Sequence, residues 1–335
     1  MRRLALFIIG CVLSLLVGVV PASADNGPHM KGAGLVPDTC AACHRAHTAQ
    51  APYLLKESQE ALCNTCHGSS GTGSNEDVAD GVGYSGEKRA TKVGGLRGGG
   101  FKYALLESNT VSPTYNAEGR LESASIGVLS AGKAVNSAHS TNESAQTAWG
   151  NGAISAAPNN GKTIKLTCGS CHDPHGNGNY RILRPIPNES GATGPTGYTG
   201  VTIADTATKV YTTTNYWQSW DTNAPQFRWQ ISEWCTTCHT RLLAGSKSYE
   251  ISSGDATFTY RHRSAYTQAE YEKLEKESST KTKPNCIQCH VSHGSNASTG
   301  TWSQTVTYPD GTPAGSDSML LRLDNRGVCQ TCHNK

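Results

Sequence analysis

The stretch CGSCHDPHG, from Cys168 to Gly176, places two cysteines and two histidines within nine residues. Two thiols about one helical turn apart can bond the two vinyl groups on one edge of a porphyrin, and the next residue can turn its imidazole towards the iron. The spacing therefore predicts that His172 is the proximal ligand of a c-type haem. His175 lies three residues further on, on the same side of that ring, so it is predicted to serve a different haem.

The same arrangement accounts for all the cysteines beyond the start of the chain. Thirteen cysteines are present, and every one except Cys11 belongs to a C-x-x-C-H unit. Zinc binding and disulfide pairing are alternatives for a single C-x-x-C, but neither requires a histidine after each pair. We therefore predict six covalently bound c-type haems. Their attachment residues are Cys40, Cys43, Cys63, Cys66, Cys168, Cys171, Cys235, Cys238, Cys286, Cys289, Cys329 and Cys332, and their proximal ligands are His44, His67, His172, His239, His290 and His333.

Six further histidines match the six predicted irons. The chain has twelve histidines, and half of them follow the cysteine pairs. Only Met30 and Met319 compete as sulfur ligands beyond the initiating methionine. The matched count predicts that each iron takes a second histidine, which leaves no open coordination position. The predicted distal ligands are His29, His47, His139, His175, His262 and His293.

The ligand residues repeat three times along the chain. Each repeat has a histidine, then C-x-x-C-H-x-x-H, then a plain C-x-x-C-H, which gives three dihaem modules at about 25–110, 111–245 and 246–335. A distal histidine that crosses to the second haem of its own module would pack the two haems closely. This argument pairs His47 with His67, His175 with His239, and His293 with His333. It does not decide which haem is served by His29, His139 or His262.

Residues 1–24 have the composition of a secretory signal. A short basic head precedes an apolar run from Leu4 to Val20, and an A-x-A cleavage site follows. The mature chain, 25–335, has no second apolar run, so it is predicted to be exported and to lack a membrane span. It carries 27 basic and 26 acidic side chains with no basic cluster, which argues against a nucleic-acid partner.

The composition predicts a fold with little conventional core. Glycine occurs 36 times and hydrophobic residues make up 36% of the chain, so little aliphatic surface is available for burial. We predict mostly irregular coil with short helices and few strands, organised around a stack of six covalently bound haems. Helices are predicted over 51–63 and 267–278, a hairpin or edge strand over 201–216, and a loop over 68–100.

Several segments resemble a known family. LTCGSCHDPHGNGNY, the LRGGGF of residues 96–101, the NSAH ending at His139, and second motifs of the form CNTCH, CTTCH and CQTCH are similar to doubled C-x-x-C-H cytochromes, in particular hexahaem OmcS-like outer-surface cytochromes of metal-reducing bacteria. The resemblance covers the ligand residues along the mature chain. It implies a continuous chain of haems through a polymeric filament, in which a histidine of one subunit ligates a haem of the next. His29, close to the mature N-terminus, is the predicted inter-subunit ligand.

These features predict an electron-transfer protein and not an enzyme. The predicted partners are further copies of the chain in head-to-tail filaments, periplasmic or outer-membrane cytochromes, and extracellular electron acceptors. The predicted location is extracellular or at the cell surface, reached through the periplasm, with the periplasm itself as the alternative. Two other functions stay open. One is a monomeric periplasmic electron shuttle, and the other is a multihaem reductase, which needs a haem with an open coordination position.

Overall fold

The computed structural model describes the chain in separate ranges: 28–29, 39–104, 112–115, 121–125, 133–151, 161–187, 199–202, 210–211, 225–240, 286–297, 308 and 312–323. Within these ranges the chain is mostly coil with a few helices and small strands, as the sequence predicts. The predicted helix over 267–278 lies outside them, as do His262, Cys329, Cys332 and His333. None of the described helices is long and apolar enough to cross a membrane.

Each described helix contains the first cysteine of one attachment motif. The helices are α1 (Thr39–Cys43), α2 (Gln59–His67), α3 (Cys168–Cys171), α4 (Pro225–Thr236) and α5 (Cys286–Cys289). Helix α2 begins after Ser58, whose Oγ accepts a hydrogen bond from the backbone N–H of Ala61 at 3.4 Å. The helix predicted over 51–63 is therefore wrong in its first half, where Tyr53 takes a left-handed conformation inside a single 3-10 turn.

A small antiparallel sheet follows α2. Strands β1 (Glu76–Asp77), β2 (Val82–Ser85) and β3 (Thr91–Leu96) lie side by side, and β11 (Val210–Tyr211) pairs with β3 at the edge. The loop predicted over 68–100 is therefore wrong, whereas an edge strand within 201–216 is confirmed. The other strands form pairs: β4 (Tyr103–Ala104) with β7 (Lys133–Ala134), β5 (Ser112–Tyr115) with β6 (Leu121–Ser125), β8 (Ser137–Ala138) with β12 (Gly294–Ser295), and β9 (Ala145–Ala148) with β10 (Lys162–Lys165).

A buried ion pair fixes this sheet to the end of α2. The guanidinium of Arg89 lies 3.1 Å from the carboxylate of Asp77 and donates to three backbone carbonyls between Cys66 and Ser74 at 2.7 to 2.9 Å. The two side chains are only 6% and 1% exposed. Burial raises the pKa of Asp77 even beside the guanidinium of Arg89. The main contribution of Arg89 is therefore to donate hydrogen bonds to backbone carbonyls that would otherwise lack a donor.

The apolar core of the described residues is divided into small clusters. Leu183, Val201, Phe227 and Ile231 form one cluster. Ala148, Ile164 and Leu166 form another. Clusters of this size bury little apolar area among the residues that the structure describes.

Candidate haem sites

A short segment, which we call the strap, fixes the histidine of the first motif in each module. Nδ1 of His44 lies 2.9 Å from the carbonyl oxygen of Tyr53. The same contact joins His172 to Arg181 at 2.9 Å and His290 to Met319 at 2.8 Å. Donation from Nδ1–H to a carbonyl leaves Nε2 as the lone-pair nitrogen, which is the arrangement that a metal-binding imidazole needs.

The strap has the same backbone shape in all three modules. Its first two residues have positive φ, between 49° and 62°, and the leucine that follows forms an isolated bridge with the motif histidine. The next residue is basic and donates its backbone N–H to the carbonyl of the motif's second cysteine at 2.8 to 3.1 Å. The straps are Tyr53–Lys56 (YLLK), Arg181–Arg184 (RILR) and Met319–Arg322 (MLLR). The straps are not evident from the sequence, because the third strap stands much further from its histidine than the first two do.

Six of the described histidines meet in pairs. The ring centroids of His44 and His175 are 6.1 Å apart, those of His29 and His67 are 6.1 Å apart, and those of His139 and His239 are 6.2 Å apart. Metal–imidazole bonds of about 2 Å on opposite sides of one iron place the two ring centroids roughly 6 Å apart. All three pairs therefore have the spacing that a six-coordinate haem iron requires.

These pairs overturn two of the three pairings predicted from the sequence, and the third, His293 with His333, involves a residue outside the described ranges. His175 faces His44 of the preceding module, whereas His239 faces His139. The prediction was wrong because it assumed that a distal histidine serves the next haem in the sequence. Instead, Asp173 makes a tight turn in which its Oδ1 accepts the N–H of His175 at 3.1 Å, and this turn directs His175 away from its own module.

The structure gives His29 a neighbour within its own chain, whereas the sequence predicted that it ligates a haem of a neighbouring subunit. Its ring faces His67 of the same chain, at an interplanar angle of 80°. This contact also removes His67 as the expected partner of His47. The terminal position of His29 suggested a free arm, but its Nδ1 lies 3.1 Å from the carbonyl oxygen of Pro174, and this contact orients the ring.

His293 lies near His172 of the preceding module. Burial, and then the neighbouring His172, lowers the pKa of His293 to about 3. Its ring stacks on Phe101 with the centroids 4.6 Å apart. The glycine-rich segment before Phe101 permits this approach, because a Cβ on Gly99, at φ +74°, would collide with the carbonyl oxygen of Gly294.

The upstream histidine of each of the first two modules is oriented by the module that follows. Nδ1 of His29 lies 3.1 Å from the carbonyl oxygen of Pro174, and Nδ1 of His139 lies 2.8 Å from that of Ser292. Pro174 and Ser292 immediately precede His175 and His293. The second and third modules thus each bring a histidine, and the carbonyl oxygen just before it, to the module that precedes them.

Desolvation favours the neutral form, which binds iron, in His67, His139 and His239. Burial, and then the neighbouring His139, lowers the pKa of His239 to about 4. Burial, and then His29, likewise lowers the pKa of His67. His239 also lies 2.6 Å, through Nδ1, from the carbonyl oxygen of Trp149. A neutral imidazole with its Nδ1 bonded to a carbonyl is ready to coordinate a metal through Nε2.

Cysteines of successive motifs meet where modules join. The side chain of Gln59 in α2 accepts the backbone N–H of Gly169 in α3 at 3.0 Å. This contact brings together the thiols of Cys63 and Cys168, which are hydrogen-bonded to each other. Cys235 and Cys286 make the same contact at the next junction. Within the modules, Cys43 lies near Cys66, and Cys171 lies near Cys238. The first five attachment motifs therefore follow one another in space in their sequence order.

Comparison with known proteins adds a family match. Residues 34–72, which contain the first two attachment motifs, match the family model of the doubled CXXCH motif. No curated protein and no solved structure matches the chain significantly. The match supports a multihaem c-type cytochrome involved in electron transfer, and the CXXCH motifs indicate covalently bound c-type haem.

The strap provides a test of how His172 is held. Ile182→Pro is expected to remove one axial histidine from the iron of the haem attached at Cys168 and Cys171. Proline removes the Ile182 N–H, which bonds to Asn179 at 2.9 Å, and forbids its φ of 52°. Ile182→Gly is the matched control, because glycine adopts this φ without strain. We expect a high-spin ferric signal from the proline variant alone, and equal spectra for the two variants would contradict a role for the strap.

Proposed function

We propose that this chain is an exported electron conductor that holds six c-type haems between histidine pairs and assembles head to tail into filaments. The observation that carries the proposal is the ring pair of His44 and His175, which crosses from one module to the next. When bound, the haems supply one-electron redox chemistry. The contribution of the chain is to hold the attachment motifs in an unbroken order.

The histidine pairs follow a rule that can be continued past the third module. The proximal histidine of the first motif in one module pairs with the final histidine of the C-x-x-C-H-x-x-H segment in the next module, as His44 pairs with His175. If the same rule applies after the third module, His290 pairs with His47 in the first module of another copy. His47 is exposed, and no ring pair joins either His47 or His290 to another histidine among the residues that the structure describes.

The same rule assigns the remaining ligands. His29 pairs with His67 and His139 with His239, so His262 is expected to pair with His333. Nδ1 of His29 contacts the carbonyl oxygen of Pro174, the residue just before His175. Ala46 is the residue just before His47, so its carbonyl oxygen is expected to contact Nδ1 of His262 in the neighbouring copy. The rule then uses all twelve histidines.

A joint of this kind produces a filament. The first module of one copy meets the third module of the next, so the two surfaces are different and the contact is heterologous. Such contacts give open helical assemblies when the rotation between copies does not close a ring. The secretory leader over residues 1–24 supports assembly outside the cell or at its surface. The redox partners proposed there are periplasmic or outer-membrane cytochromes and extracellular acceptors.

The experiment compares His47→Ala with His29→Ala, both produced with haem attachment. His47→Ala is expected to yield soluble monomers with one high-spin haem and no filaments in electron micrographs, because the joint loses its iron–imidazole bond. His29→Ala is the matched control. It should also gain one high-spin haem but still form filaments, since its target lies in the same chain.

Normal filaments from His47→Ala with every haem low-spin would contradict the proposed joint. A wild-type protein that stays monomeric at all concentrations, with His290 ligated from within the chain, would favour the monomeric shuttle instead.

A further inference from the structure

One strap differs from the others in charge. Tyr53, Arg181 and Met319 occupy equivalent positions, since each supplies the carbonyl that faces the proximal histidine. Tyrosine and methionine are neutral there, whereas Arg181 places a permanent cation beside His172. The three first-motif haems therefore have the same backbone surroundings and different local charge.

The guanidinium of Arg181 has an unused donor. Its Nε donates to the hydroxyl of Tyr180 at 2.9 Å, and its carbon lies 5.3 Å from the centroid of that ring. Its Nη2 is buried and has no hydrogen-bond acceptor in the part of the chain that the structure describes. A buried, charged donor without an acceptor lowers the stability of the folded state. An anionic acceptor bound beside Nη2 would remove this penalty, and the described part of the chain does not supply one.

Arg181 lies directly beside the proximal histidine of the third haem, because its backbone carbonyl oxygen is 2.9 Å from Nδ1 of His172. A haem held at His172 brings two propionate carboxylates into the same site. Carboxylate is the acceptor whose geometry the guanidinium fork matches best.

We propose that Arg181 binds a propionate of the haem held by His172 and raises the reduction potential of that haem above those held by His44 and His290. A fixed cation favours the ferrous state, because reduction removes one positive charge from the iron site. The inference rests on the proposed haem at Cys168 and Cys171 and does not depend on filament assembly.

The test exchanges the equivalent residues of two straps. Arg181→Met places the residue of the third strap in the second, and Met319→Arg makes the reverse change. We expect Arg181→Met to shift one of the six reduction equilibria about tenfold towards the ferric form, which is about 59 mV for a one-electron couple. Met319→Arg is expected to shift a different one by a similar factor towards the ferrous form. Arg181→Lys keeps the charge and should retain most of the wild-type potential.

The measurement is a potentiometric titration of the haem-loaded proteins, with haem content checked first by mass spectrometry. A fully loaded Arg181→Met protein with an unchanged titration curve would overturn the inference. If that variant fails to load haem, a loaded Met319→Arg protein whose curve is unchanged would overturn it equally. A wild-type peptide containing Cys168 and Cys171 but no haem would instead overturn the proposed function itself.

Discussion

Produced without haem attachment, this chain is expected to be unfolded and sensitive to proteases. Its described apolar clusters are small, such as the one formed by Ala148, Ile164 and Leu166. Imidazoles and thiols, among them those of His239 and Cys171, are buried, and burial favours the neutral form of both groups. Covalent haem supplies the missing apolar area and cross-links segments that are far apart in the sequence.

Limited proteolysis and thermal melting of protein from hosts with and without the attachment machinery would measure this effect. A Cys63→Ser, Cys66→Ser variant, which lacks one haem, is the intermediate control and is expected to show partial protection. A compact apoprotein with a cooperative melting transition would contradict the prediction, because it would mean that the polypeptide alone forms an adequate core.

His175→Ala is expected to make the haem at Cys40 and Cys43 five-coordinate. The ring of His175 lies 6.1 Å from that of His44, and no other histidine ring is described beside His44. The substitution should therefore convert one haem of six from low-spin to high-spin, as measured by electron paramagnetic resonance of the ferric protein.

A background without the first haem identifies which iron has changed. In a Cys40→Ser, Cys43→Ser protein, the added His175→Ala substitution is expected to produce no further high-spin iron, because its target is already absent. The matched His139→Ala substitution should still open the haem at Cys235 and Cys238, since His139 faces His239. A new high-spin signal from His175→Ala in this background would restore the pairing that the sequence predicted.

The attachment motifs could be predicted from the sequence because each is a contiguous unit of five residues, and the family match over residues 34–72 supports the first two of them. The sequence could not predict which histidines meet, since that depends on how modules pack. The turn at Asp173, for example, sends His175 to a haem in another module. The helix predicted over 51–63 was wrong in its first half for a related reason. The carbonyl oxygen of Tyr53 contacts Nδ1 of His44, a contact that the local sequence does not reveal.

Long-range contacts also explain the missed sheet. Residues 68–100 are rich in glycine, serine and charged side chains, a composition typical of loops. The strands there are held by the Arg89–Asp77 ion pair and by pairing with β11, which lies more than a hundred residues further along the chain. Neither contact leaves a periodic hydrophobic pattern that sequence analysis can detect.

Electron paramagnetic resonance of the oxidised, assembled protein tests most directly the central claim that paired histidines hold every iron. The account predicts six low-spin ferric irons. It also predicts at least two kinds of low-spin signal, because the ring planes meet at 25° for His44 and His175 but at 80° for His29 and His67. A high-spin signal equal to one or more irons per chain in the assembled protein would contradict this claim and would favour a reductase with an open haem.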